Sequence, residues 1–508
     1  MRFLQKLVPT WPKLAWVAVC EEGADEIIAF HGPMVEGSED WIAEAVWDGK
    51  FEKGDFDQTD LVFGTGIRLR DDGAVFVSSG TTFDRLLYCR RRKTWHFSNS
   101  LPALLATAGL KLREDYLLYS QDSLSIIKGL ENRVRTIPTD AEDVTSVFFH
   151  NLVFDGRRLV EQQKVDPSPS FSSFRDYHDY LAAASTRIGK NLASPARKNA
   201  VVPLSSISSG YDSCVAAAIS RFAGCKQTVS IKNSTSFWRG SDSGASVAKH
   251  LGMSCVEYSR TADSYPLEES IWAASGRPGI LNWTLFEYPS PLCLFFTGCH
   301  GEKMWDRVTH DHPDPFVRRD SSSLGFCEFR LIKGVFQCVV PFWAIRHSRE
   351  LKGITLSHEM RPWYTGSDYD KPIARRILEQ AGVPGKSFGK VKKNSSHEAS
   401  FLWPYSHDAG KRFAAFLSDR GLYAPQPLKL SLVRRLDHVE NLLHINLLRR
   451  LGLQRRFRPW DRIRGSSLIF HWANEELRQR YLEGLRGLDS PTSAPTCASM
   501  KATISENP

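Results

Sequence analysis

Between Val201 and Ile219 the sequence passes from an apolar run, Val201-Val202-Pro203-Leu204, through Ser205-Ser206-Ile207-Ser208-Ser209-Gly210-Tyr211-Asp212-Ser213. It leaves that stretch in the alanine-rich Cys214-Val215-Ala216-Ala217-Ala218-Ile219. A β-prone run, a loop of small hydroxyl residues with glycine, and a helix-favouring run define a strand–loop–helix unit. A loop of this kind turns backbone N–H groups and hydroxyls toward one point at a helix N-terminus, which suits a phosphate or pyrophosphate group. Gly210 can take a conformation open to close anion approach. Asp212 would repel a bare phosphate, so its presence points to a bridging cation such as Mg²⁺. An ordinary Ser/Asp helix cap explains one or two of these residues, but not the whole unit.

The rest of the chain must accommodate that unit. Its 508 residues allow about two to four domains. At 42% hydrophobic and 24% charged residues, the composition excludes a wholly disordered chain. A formal net charge of +9 permits a polyanionic partner such as a nucleotide, but spread over this length it does not require nucleic acid. Ten cysteines run from Cys20 to Cys497 with no C-x-x-C, which is neither a disulfide framework nor a zinc-ribbon array. A reducing cytoplasm is the expected compartment. Met1 to Lys6 are followed by no apolar core with a small-residue cleavage site. No stretch reaches the ~18 apolar residues of a membrane span, so no membrane partner is expected.

Residues 1–165 read as β-rich. Leu14 to Val19, Ala74 to Val77 and Leu86 to Cys89 are β-prone, helical periodicity appears in Leu101 to Ala106 and Glu114 to Ser120, and Val147 to His150 and Asn151 to Phe154 are strand-like. The Pro/Ser-rich Asp166 to Ser173 reads as a linker, after which Phe174 opens an amphipathic helix. Alternating strands and helices then predict a parallel sheet over 174–430. A basic helical extension is expected over 431–488, with Leu432, Leu436, Val439, Leu442 and Leu443 packing on something, and a disordered tail over 489–508.

Ser208-Ser209-Gly210-Tyr211-Asp212-Ser213 resembles the S-G-G-x-D-S loop of the PP-loop ATP pyrophosphatases, with Ser in the second position. Its surroundings resemble the asparagine-synthetase-like branch. Thr228-Val229-Ser230-Ile231 stands where that family's second strand contacts adenine, and Asp242 with Gly244 to Gly252 resembles its D-x-x-A-x-x-A-x-x-L-G segment. Thr297-Gly298-Cys299-His300-Gly301-Glu302 resembles its second glycine motif, Glu302 replacing the aspartate that helps hold Mg²⁺-pyrophosphate. Asp370 to Leu378, Val383-Pro384 and Lys390-Val391-Lys392-Lys393 resemble the segment whose R-x-K lysine contacts the α-phosphate. Lys392 is its closest counterpart and Lys393 a register alternative; Lys371 reads only as the start of its helix.

The resemblance implies an α/β PP-loop domain preceded by an α+β domain of the Ntn-glutaminase type. Glutamine hydrolysis there needs a cysteine at the processed N-terminus; the sequence has Arg2, and its first cysteine is Cys20. That departure is shared with β-lactam synthetase and with the macrolactam synthetases that close lasso peptides. The implied cofactors are ATP, bound by Ser208 to Ser213, Ile231 and Gly298, and Mg²⁺, held by Asp212 and Glu302. The implied catalytic cation is Lys392. The implied partner is a substrate bearing a carboxylate and an amine, a small molecule or a precursor peptide; a homo-oligomer is compatible. His300 has two readings, a general base for the amine or a side chain filling its loop. Adenylation of a nucleobase and a nucleotide-binding regulator without catalysis remain the alternative functions. His310-Asp311-His312 lacks a third metal ligand, and Trp363 and Tyr364 read as packing residues.

Overall fold

The computed structural model describes residues 1–232, 241–259, 265–308, 314–318, 324–367, 369–389, 402–443 and 465–488. Lys390, Lys392, Lys393, His310 to His312, the arginine pairs at 449–450 and 455–456, and the tail from 489 lie outside the described residues.

The β-prone first part forms two sheets. One contains β1 (Arg2–Leu7), β2 (Trp16–Glu21), β3 (Glu26–His31), β8 (Leu86–Arg91), β9 (Thr94–Ser98), β10 (Thr136–Ile137) and β11 (Val144–Val147), in the order β1-β3-β2-β9-β8-β11-β10. The other contains β4 (Glu36–Gly37), β5 (Trp41–Trp47), β6 (Val62–Arg70), β7 (Gly73–Val77), β12 (His150–Phe154) and β13 (Leu159–Gln163), in the order β13-β12-β7-β6-β5-β4. Strand alternation sends Trp16, Ala18, Cys20 and Phe97 of one sheet against Ile67, Phe76, Leu152 and Phe154 of the other. The Phe76 and Phe97 rings stack at 3.7 Å. The expected helix at Leu101 is α1 (Leu101–Ala108), whose first turn is capped by Ser100.

Two expectations for this part need correction. The second helix, α2 (Tyr119–Leu124), begins five residues later than the periodicity predicts. The Tyr119 hydroxyl accepts from the Arg113 N–H at 2.9 Å and donates to the Pro138 carbonyl, which holds the preceding residues in a loop. The strand-like stretch around residue 149 is broken: Phe149 takes φ +59, so β11 ends in one sheet and β12 starts in the other. The Pro/Ser-rich segment has no regular structure, but it is fastened. Ser168 bonds the Tyr180 hydroxyl at 2.8 Å, and the buried Phe171 donates its N–H to Glu350 at 2.6 Å. Ser173 and Asp176 then form a capping box that opens α3 (Phe174–Leu192).

The second part is built on an all-parallel sheet of β14 (Val201–Ser206), β15 (Gln227–Ile231), β16 (Ser254–Tyr258), β17 (Leu292–Thr297) and β18 (Val335–Val339), in the order β16-β15-β14-β17-β18. β17 and β18 are buried at every residue, so they read as continuous apolar runs rather than alternating ones. The helices include α4 (Asp212–Ser220), α5 (Ala245–His250), α6 (Glu268–Ser275), α7 (Gly301–Trp305), α8 (Cys327–Lys333), α9 (Ser348–Leu356) and α10 (Pro372–Gln380). The chain is thus a mixed α/β protein. A buried ion cluster fastens its two parts: Arg330 of α8, 1% exposed, donates to Glu44 at 2.7 and 2.9 Å and to Asp84 at 2.7 Å.

After α11 (His407–Ser418) come α12 (Pro427–Leu443) and α13 (Ile469–Leu488). α13 is built into the body; Phe470 stacks on Tyr119, and Trp11 donates its indole N–H to the Tyr481 carbonyl. On α12 the stripe expected to pack is solvated instead. Leu432, Leu436, Val439 and Leu443 are 47–58% exposed, while Leu430 and Val433 on the opposite face meet the cluster around Trp403 and Phe413. The Leu442 side chain lies outside the described residues. Among the described residues no helix is long and apolar enough to cross a membrane.

Candidate functional site

The order β16-β15-β14-β17-β18 places a reversal of strand order between β14 and β17. The chain runs outward from β14 to β16, then returns to the other side of β14. Ligand crevices of open parallel sheets form beyond the carboxyl ends of the strands at such a point. The loops leaving there are Ile207 to Tyr211, after β14, and Gly298 to His300, after β17. They carry most of the residues that the sequence singles out.

The two loops touch, and glycines permit it. A Cβ on Gly298 would lie 2.1 Å from the carbonyl carbon of Asp212, and one on Gly301 would lie 2.5 Å from its carboxylate. Any larger residue would separate the second loop from the start of α4. Gly210 is different. It has no positive φ, and a Cβ there would meet only Ser208 Oγ and Tyr369 Oη at 3.4 Å. The space above Gly210 is thus open to close approach, and its backbone is ordinary.

Hydrogen bonds shape the loop from within. Ser208 Oγ accepts the Gly210 N–H at 3.1 Å and lies 2.7 Å from Ser213 Oγ. Ser209 donates its hydroxyl to the Asp242 carboxylate at 2.8 Å and its N–H to the Asp242 carbonyl at 3.0 Å. Asp242 and Gly244, which open the segment leading into α5, thus brace the β14 loop, and Gly244 donates to Ser230 Oγ at 3.0 Å. Tyr211 precedes α4 without any side-chain cap. A plain Ser/Asp cap, the simple reading of this loop, is not what the structure contains. The Tyr211 ring itself is core, packed on Tyr369 and Phe388, and burial raises its phenol pKa. Ile231 ends β15 at the same edge, buried with Leu204, Val229 and Phe295.

The sequence reading missed Lys371. Its side chain is 0% exposed, and its Nζ lies 2.6 and 2.8 Å from the two oxygens of Asp212, which is 22% exposed. Lys371 therefore does more than begin a helix: it sets a buried cation beneath the candidate phosphate loop. Its neighbour Asp370 anchors it, since Arg307 donates to Asp370 Oδ2 at 2.8 Å and the Thr365 N–H reaches Oδ1 at 3.2 Å. A signal was available. A lysine just ahead of the proline that opens α10 faces the positive end of the helix dipole, an unfavourable place that asks for a compensating anion.

Asp212 and Glu302, one residue beyond Gly301, offer the hard oxygen donors that Mg²⁺ takes together with phosphate. Among the described residues no group of three or more His, Cys, Asp or Glu side chains is gathered for a metal. Mg²⁺ on a nucleotide needs only one or two carboxylates, phosphate oxygens and water completing its octahedron. Asp212 brings one such carboxylate to the junction of the two loops, with both of its oxygens on the Lys371 ammonium.

His300 occupies the left-handed region, φ +74, immediately before α7. It is buried; Nε2 lies 3.1 Å from the Pro315 carbonyl and the ring packs on Phe342. Nε2 therefore carries the proton and donates it, and burial lowers the imidazole pKa to about 4. Of the two roles open in the sequence, this arrangement favours the loop-holding one, because a base that weak takes few protons near neutrality. Trp363 and Tyr364 pack against Arg376 and Arg307. No protein-family model matches the chain, and no curated protein matches its sequence.

Proposed function

We propose that the chain is an ATP-dependent amide-forming ligase of the asparagine synthetase type, without glutaminase activity of its own. The observation that carries this reading is the junction of two glycine-bearing loops at the switch point of a parallel sheet, with the Asp212–Lys371 pair beneath it. The motif resemblance in both loops supports it, as does the brace from Asp242.

In this reading the uncapped start of α4 and the hydroxyls of Ser208 and Ser213 receive the pyrophosphate of ATP, and the backbone near Ile231 receives adenine. Asp212 and Glu302 would hold Mg²⁺, which would offset phosphate charge. Lys371 stands ready to trade one Asp212 oxygen for a phosphate oxygen. A substrate carboxylate attacks the α-phosphate, giving an acyl-adenylate and pyrophosphate. An amine, in the same substrate for a lactam or macrolactam, then attacks the acyl carbon and AMP leaves. The enzyme contributes orientation and charge compensation; Lys392 is the proposed cation at the reacting carboxylate. The nine cysteines among the described residues are free thiols, which suits a cytoplasmic setting.

ATP–pyrophosphate exchange tests the proposal. Exchange that depends on a carboxylate substrate supports the ligase. Exchange that depends on tRNA supports nucleobase adenylation, and nucleotide binding without exchange supports a regulator.

A further inference from the structure

A second candidate site lies away from the nucleotide loops, where the first part of the chain meets the second. A small cavity of about 30 Å³ lies there, with room for a small polyatomic ion. Phe83, Phe148 and Phe470 give it apolar walls, and Arg85 and Arg133 line it. Both arginines are more than nine-tenths buried, at 5% and 8% exposure. On each, Nε and Nη2 have no hydrogen-bond acceptor among the described residues.

The carboxylates nearby are committed elsewhere. Glu328, 3.8 Å from Arg85, accepts the Ser100 hydroxyl at 2.7 Å and the Leu101 N–H at 3.1 Å. Asp122, which also lines the cavity, accepts the Tyr116 hydroxyl. Arg133 donates its Nη1 to the Leu130 carbonyl and lies over the Phe148 ring at 5.8 Å. Three guanidinium nitrogens thus lie buried without an acceptor among the described residues, and the fourth, Arg85 Nη2, meets only Glu328 at 3.8 Å, a costly arrangement for charged donors. Two cationic forks and aromatic walls match an oxyanion on a small apolar body.

We infer that this cavity binds the oxyanion of a small ligand, such as the carboxylate of a short-chain acid. Nothing in this inference depends on nucleotide binding by the β14 loop. Connections toward that loop nevertheless exist. Phe83 packs on Phe342, which packs on His300, and the Arg318 N–H bonds the carbonyl of Ile127, the residue after the cavity-lining Ile126.

The test follows the melting temperature of the full chain in sodium acetate, propionate and phosphate, against sodium chloride at equal ionic strength. A saturable rise with the carboxylates is expected, its midpoint shifted at least tenfold in Arg85→Gln and Arg133→Gln and unchanged in Ser213→Ala. Should the arginine variants fail to fold, Ser275→Leu fills the cavity from its buried wall while keeping both charges, and it must abolish the rise. A wild-type chain indifferent to the acids overturns the inference, as does a rise that survives Ser275→Leu. A phosphate effect lost in Ser213→Ala but kept in the arginine variants belongs to the β14 loop and counts against the cavity.

Discussion

Replacing either member of the Asp212–Lys371 pair should have unequal consequences. At about 2.7 Å and an effective dielectric of about 20, the gross attraction is roughly 6 kcal/mol. Desolvation of the buried ammonium offsets much of it, and removing one partner of a buried pair typically costs about 3–5 kcal/mol. Asp212→Asn strands a lysine that is 0% exposed, so the whole of that range applies. Lys371→Met leaves an aspartate that water reaches, at 22% exposure, and that keeps other interactions, so the cost should fall to about 1–3 kcal/mol. Urea unfolding of the two single variants and the double variant measures both costs and their coupling. The expected order is Asp212→Asn well below Lys371→Met, with the double variant recovering part of the loss through a coupling above about 1 kcal/mol. Equal single costs below ~0.5 kcal/mol with no coupling would refute a buried pair at this position.

Other expectations are more local. Gly298→Ala drives a methyl into the backbone at Asp212 and should destabilise by about 1–3 kcal/mol, read by thermal unfolding; under the proposed function it should also weaken ATP binding more than tenfold in calorimetry. Folding favours neutral His300, so its contribution is whole above the ordinary imidazole pKa of about 6.5 and is withdrawn as pH falls toward about 4. The difference corresponds to roughly 3 kcal/mol, and His300→Gln should flatten that part of the stability–pH curve. Arg330→Met leaves Glu44 and Asp84 buried without their cation and should cost about 3–5 kcal/mol, measured by denaturant midpoint. Leu432→Glu and Leu436→Glu on the solvated face of α12 should each change stability by less than about 0.5 kcal/mol; a large drop would show that the face is covered.

How legible was this in the sequence? The β14 loop and the alternation behind it were readable because both are local patterns: an apolar run, small hydroxyl residues, a helix-prone run. The first α-helix and several strands of the first part followed from the same kind of signal. What the sequence concealed depends on distant pairing. Lys371 meets Asp212 across 159 positions: its place before α10 asks for an anion, but nothing nearby says which one. Phe149 breaks an apolar stretch through its backbone angle, although phenylalanine is not a residue that signals a turn. The leucines of α12 recur at helical spacing on a face that stays in water, while the packed face shows only Leu430 and Val433. Periodicity reports that a helix is amphipathic, not which neighbour arrives to cover it.

The Arg330 cluster also has a consequence for synthesis. Glu44 and Asp84 are made 286 and 246 residues before the arginine that neutralises them. At about 5–20 residues per second, the growing chain waits roughly 10 to 60 s with two carboxylates destined for the interior and no cation in reach. Until α8 has left the ribosome, Glu44 and Asp84 lack the Arg330 guanidinium that meets them in the finished fold. A fragment ending near residue 165 would emerge with an acidic scar on the surface meant for its other half, and a fragment beginning near 174 would present a naked arginine there. The cluster thus makes the burial of two early carboxylates wait on a residue synthesised much later.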